Sequence, residues 1–275
     1  MALGAAERER LAERARRVRV GILRAAWAGG SGHLGAALGQ TDVLVAIYDA
    51  LRIDPRRPED PGRDRFVLSK GHGGLGHAAL LAELGFFPAA DLARFGESGH
   101  YLGMHLDHGR VPGVEVSTGS LGHGLGVALG IAVGARLLGA AYRTVCVVSD
   151  GELYEGSTWE ALLAAPALRP RGLGVVIDRN RLTMDGVTER EVPLEPLAKK
   201  LEAFGLPTST VDGHDLGAIA EALARGMSGD APYVVVCETV KGKGVARLEG
   251  RPEWHYGALD SDAFAEALAG LGERP

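Results

Sequence analysis

Apolar positions along this chain recur at two periods, and the two take turns. Short β-branched runs at 66–68, 144–149, 173–178, 208–211 and 233–238 read as strands. Apolar residues at helical spacing mark helices at 6–28, 40–51, 72–84, 121–138, 157–168, 193–204, 216–225 and 260–268. Residues 54–64, rich in Pro, Arg and Asp, and 85–113, rich in Gly and His, read as irregular. From residue 143 onward strand and helix alternate. That order predicts an α/β fold with a doubly wound, mostly parallel sheet and helices on both faces. No linker, internal repeat or low-complexity block interrupts the chain, so residues 1–275 are expected to form a single domain. The Gly-rich stretch 242–258 needs a surface to pack against.

Composition narrows the classes. A hydrophobic content of 46% supports a sizeable core, and the net charge of −5 offers no broad basic surface for nucleic acid or anionic lipid. Cys146 and Cys237 lie inside apolar runs and read as small core residues. No apolar run is long enough for a membrane span and no signal-peptide core is visible, so a cytoplasmic location is the default. The 41 glycines gather beside histidines, where a bare backbone can approach a ligand closely.

Chemistry enters at two strand ends. The run 144–149 ends in Asp150-Gly151, and the run 173–178 is followed by Asn180. In parallel α/β sheets ligands sit beyond the carboxyl ends of the strands. Asp150 and Asn180 should converge there as a carboxylate and an amide oxygen. Such a pair suits a hard cation like Mg²⁺, which fills its octahedron with phosphate oxygens and water. A metal-bridged diphosphate is therefore expected.

The motifs around this pair carry a resemblance. In order they are Ser31-Gly32-His33, the stretch 64–72 ending Ser69-Lys70-Gly71-His72, and the stretch 112–122 containing Ser117-Thr118-Gly119-Ser120-Leu121-Gly122. Asp150-Gly151 through Asn180, then Lys241-Gly242-Lys243-Gly244 and Trp254-His255, complete the set. The ordered set resembles the N-terminal half of transketolase over about residues 10–260, and so implies the diphosphate-type domain of the thiamine diphosphate-binding fold. Two positions depart from the family pattern. Ser149 stands where the signature has glycine, with a hydroxyl able to reach a phosphate, and Leu34 stands where proline usually follows the histidine.

The resemblance implies roles residue by residue. Asp150, the Asn180 side chain and the Leu182 carbonyl would hold Mg²⁺ or Ca²⁺. His72 and the Gly151 N–H would contact the diphosphate, and Gly119 and Leu121 would flank the cofactor rings. His33, His105 and His255 would line the substrate channel as catalytic histidines. Glu155 would join a hydrogen-bond network between subunits. The implied reaction is transfer of a two-carbon ketol unit from a ketose, such as a sugar phosphate, to an aldose. In transketolase the glutamate that activates the cofactor lies in a pyrimidine-binding domain C-terminal to this stretch. A separate C-terminal subunit is therefore expected to supply it, in an α2β2 heterotetramer.

Three other readings stay open. Residues 122–126, Gly-His-Gly-Leu-Gly, follow an expected short strand and form a partial dinucleotide fingerprint for an NAD-dependent oxidoreductase. The same cofactor could pass a two-carbon unit to a carrier protein. The chain could also bind the cofactor without catalysis.

Overall fold

The computed structural model describes residues 3–229 and 231–274. Five strands, β1 (Arg65–Leu68), β2 (Thr144–Ser149), β3 (Leu173–Arg179), β4 (Thr208–Asp212) and β5 (Tyr233–Glu238), form one sheet in the order β1-β2-β3-β5-β4. Every pairing is parallel, so the sheet is wholly rather than mostly parallel. Helices α1 (Ala5–Ala28), α2 (Leu34–Gly39), α3 (Thr41–Ala50), α4 (Gly74–Leu84) and α5 (Gly124–Leu138) precede β2. Helices α6 (Gly156–Leu168), α7 (Thr188–Glu191), α8 (Leu197–Ala203), α9 (Leu216–Ser228) and α10 (Ser261–Gly270) follow it.

Residue alternation along the strands builds two cores, because successive side chains in a strand point to opposite faces. Val145, Val147, Val176 and Val235 pack with α1, α3, α4, α9 and α10. Cys146, Val148, Val175, Ile177 and Val236 pack with α5, α6 and α8. Helices thus cover both faces. Near-continuous β-branched strands have the composition that double burial favours. Both cysteines are buried thiols.

The structure departs from or adds to the sequence reading at three points. Residues 34–39 form α2, a buried helix of mostly small residues too short to show a period. Helix α8 starts at Leu197 rather than 193, because the two prolines Pro193 and Pro196 hold its approach extended. No strand precedes Gly122: residues 114–120 are irregular, so the strand that a dinucleotide fingerprint requires is missing. The Gly-rich stretch finds its surface on α2. The Gly242 N–H donates to the Gly35 carbonyl at 2.9 Å, and Gly32 and Gly257 form an antiparallel bridge.

Candidate cofactor site

Parallel strands bring their carboxyl ends to one edge. There the residues after β1 (Ser69 to His72), β2 (Asp150, Gly151), β3 (Asn180 to Thr183) and β5 (Thr239 to Lys241) meet. Asp150 is 1% exposed. Its Oδ1 accepts the Gly151 N–H at 2.8 Å, and its Oδ2 accepts the Arg181 N–H at 2.5 Å and Arg179 Nη1 at 3.2 Å. Burial, and then the neighbouring Asp178, push its carboxyl up to about 6 despite these donors. The negative charge is therefore under-compensated, and a cation beside it would restore the balance. The Asn180 Oδ1 accepts the Leu182 N–H at 3.0 Å, a turn that draws the amide oxygen and residue 182 together. Among the described residues no three His, Cys, Asp or Glu side chains group as a metal site. Any cation here would rely on one carboxylate plus amide and main-chain oxygens, a donor set that suits a hard ion.

Facing this acid is a cluster of cationic and imidazole groups. The His33 ring lies 5.6 Å from His72, 5.5 Å from His255 and 6.4 Å from His105, centroid to centroid, and His72 stacks on His255 at 5.3 Å. Lys241 Nζ donates to the Thr183 carbonyl at 2.8 Å and approaches His255 Nδ1 at 3.1 Å. Burial first, then the neighbouring positive groups, lower His33, hold His72 well below its ordinary value, bring His255 to about 4 and bring Lys241 to about 8. The His33 Nδ1 is buried without a hydrogen-bond partner. A buried lysine among desolvated, neutral imidazoles, one with an orphaned ring nitrogen, fits an anion and a polar ligand.

His105, rather than its neighbours His100 and His108, is the histidine of that loop that joins the cluster. His108 bonds the Val114 carbonyl and His100 accepts the Leu102 N–H. His72 sits in the short 3-10 turn Gly71–Gly73 just ahead of α4, not at the helix start itself. Gly119 stands against the His105 ring, and a Cβ on Gly71 would meet the Gly119 nitrogen at 2.8 Å, so only glycine lets those two turns touch. Leu121, half-buried, follows in the same turn. Glu155 lies exposed at the N-terminal end of α6, beside Gly122, and no partner within the described chain explains it.

The Ser149 hydroxyl is engaged within its own turn. It accepts the Glu152 N–H at 3.2 Å, while a Glu152 oxygen accepts the Ser149 N–H at 3.3 Å. This is a capping box, and its Ser-x-x-Glu spacing is the sequence signal that could have found it. Glu152 is fully buried and also accepts the Ser69 hydroxyl and the Gly122 N–H. It ties the loop after β1, the glycine turn and the Asp150 turn together. Sequence reasoning also misses Asp178, which pairs with buried Lys70 and accepts the Thr239 hydroxyl. Arg179, fully buried, holds Asp150, Glu189 and Glu195.

A parallel α/β sheet with an acid–amide pair beside a buried lysine and four imidazoles at its carboxyl edge fits a diphosphate-binding domain. The family described as "Transketolase, thiamine diphosphate binding domain" matches residues 9–275, and the chain belongs to it. The chain is 39% identical over 241 residues to an apulose-4-phosphate transketolase subunit of Actinobacillus succinogenes, covering 87% of each. It is 37% identical to a 6-deoxy-6-sulfo-D-fructose transketolase subunit of a Clostridium species, covering 88% of this chain and 89% of that one. The transketolase of Pongo abelii is 35% identical, but only 39% of its length is matched. The solved transketolase of Leishmania mexicana superposes with a TM-score of 0.92 at 29% identity, over 96% of this chain and 42% of that one. The chain thus spans about two fifths of that solved transketolase. Among the described residues no helix is long and apolar enough to cross a membrane.

Proposed function

We propose that this chain is the diphosphate-binding subunit of a two-chain transketolase that moves a two-carbon ketol unit from a ketose donor to an aldose acceptor. The observation that carries the reading is the convergence of under-compensated Asp150 with Lys241 and four histidines at one sheet edge. Thiamine diphosphate, when bound, would supply the nucleophilic ring carbon and electron sink that ketol transfer needs. Asp150, the Asn180 amide oxygen and the Leu182 carbonyl would hold Mg²⁺ or Ca²⁺, and phosphate oxygens and water would complete the shell. The Gly151 N–H and His72 would hold the diphosphate, with Lys241 adding charge. Gly119 and Leu121 would bound the rings. His33, His105 and His255 would bind and orient sugar hydroxyls and carry protons to and from them. Their lowered values leave the His33 and His255 rings neutral and able to accept.

A partner subunit with a pyrimidine-binding fold would supply the activating glutamate, and Glu155 would bond across to it. The near-complete overlap with relatives named as transketolase subunits supports two chains rather than one. So does the outer face of α5. Gly126, Gly130 and Gly134 have nothing within 4 Å of a Cβ, and Val127, Leu137 and Leu138 are exposed at 41%, 73% and 80%. A bare apolar helix face of this kind marks a surface that another protein covers. The proposal includes an α2β2 assembly and a cytoplasmic enzyme of sugar phosphate metabolism.

The test is cofactor binding and turnover in the assembled pair. Thiamine diphosphate should bind only with Mg²⁺ or Ca²⁺ present, and Asp150→Ala should remove both binding and ketol transfer. Unchanged turnover in Asp150→Ala would favour a cofactor site that does no chemistry. Transfer to a carrier protein in place of an aldose would favour the alternative acceptor.

A further inference from the structure

A second charged cluster lies beneath the site, between α1, α3, α9 and the segment after β5. Asp42 on α3 is its hub. Arg19 donates to both Asp42 oxygens, at 3.0 and 2.6 Å, and His214 Nδ1 meets Asp42 Oδ2 at 2.7 Å. Each then reaches the same backbone segment. The Val240 N–H donates to His214 Nε2 at 2.8 Å, and Arg19 Nε donates to the Lys243 carbonyl at 3.0 Å. The residues held are the one before Lys241 and the one two after it.

The hydrogen bonds also fix the imidazole. Nε2 accepts from a backbone N–H, so the ring proton sits on Nδ1 and points at Asp42. Asp42 thereby orients His214 much as outer carboxylates orient ligand histidines. The need for such a hold is electrostatic. Lys241 is buried beside Lys70, and like charges there repel. Residues 239–250 contain no regular helix or strand to resist that push. Packing closes the other side: a Cβ on Gly35 would sit 2.7 Å from the Trp254 carbonyl and 3.0 Å from Lys241 Cγ, so α2 presses directly on the lysine stem.

We propose that Asp42, Arg19 and His214 form a clamp on residues 240–243 that aims Lys241 at the diphosphate position, with His214 as a positioning residue. The inference rests on the reading of that cleft as the diphosphate site. His214 touches neither cofactor nor substrate and acts only through Lys241.

Two near-isosteric variants separate its contacts. His214→Asn keeps a donor near Asp42 but stops short of Val240, whereas His214→Gln can place a carbonyl oxygen where Nε2 accepts. The readout is the thiamine diphosphate dissociation constant of the assembled complex at saturating Mg²⁺, with thermal unfolding followed in parallel. His214→Asn should weaken binding by roughly tenfold, the scale of lost outer-shell contacts, and His214→Gln should restore most of it. Lys241→Met should weaken binding similarly. The Lys241→Met/His214→Asn double variant should be no worse than the weaker single, since both act through one group. Unchanged binding in His214→Asn, or effects that multiply in the double variant, would overturn the clamp while leaving the functional reading intact. A wild-type complex that binds no thiamine diphosphate would overturn the functional reading and the clamp with it.

Discussion

At the scale of single residues, Asp150 is where stability and function oppose each other. The folded chain holds its proton to about 6, against an ordinary 3.8. Between those values the folded state binds more protons than the unfolded chain, so this group's contribution to stability falls as the pH rises through that window. Melts of the cofactor-free chain should show the wild type losing stability relative to Asp150→Asn from about pH 4 to 6. A difference that grows in the wild type's favour over that range would contradict a desolvated, under-compensated carboxyl. Metal and proton compete for the same oxygens, so Mg²⁺-dependent cofactor affinity should climb through pH 6 and then level. A flat profile would remove Asp150 from the ligand set.

At the scale of elements, the loops at the carboxyl edge are held by buried hydrogen bonds rather than by apolar packing. Replacing Glu152 by alanine leaves the Gly122 and Ser149 N–H groups and the Ser69 hydroxyl without their acceptor. At roughly 1–3 kcal/mol for each of the three buried groups left unpaired, the loss should be about 3 kcal/mol or more. Urea unfolding measures it, and Glu152→Gln, which keeps one acceptor oxygen, should lose less. A Glu152→Ala chain as stable as the wild type would show that water reaches those groups.

The same contrast explains what could be read from the sequence. Strands and long helices are legible because burial on both faces writes continuous β-branched runs and 3.6-residue periods. Asp150 and Asn180 are legible because a strand end marks a position in space before any fold is known. Helix α2 is not, since six mostly small residues carry no period. Arg179 and Asp178 are not, and Glu152 is so only through its Ser-x-x-Glu spacing, because buried charges are recognised by their partners. Those partners, Glu189, Glu195, Lys70, Thr239 and Ser69, are set by tertiary contacts or lie far off in sequence. The sequence offers the histidines one at a time; the resemblance picks His105, and the fold places it, rather than His100 or His108, against His33.

At the scale of the whole molecule, the proposed cofactor site shares the chain with an uncovered helix face. The stripe Gly126, Gly130 and Gly134 has open space above it, so Gly130→Leu should fold normally. The same variant should keep the partner's backbone away from α5, and light scattering of the mixed chains should show loss of the complex. Retained assembly in Gly130→Leu would move the interface elsewhere. The measurement that bears most directly on a divided enzyme is a reconstitution titration. Ketol transfer from a ketose phosphate to an aldose is followed as the partner chain is added to this one, with thiamine diphosphate and Mg²⁺ in excess. The expected result is no activity from either chain alone and a rise that saturates at equal numbers of the two. Full turnover from this chain by itself, or none at any ratio, would contradict it.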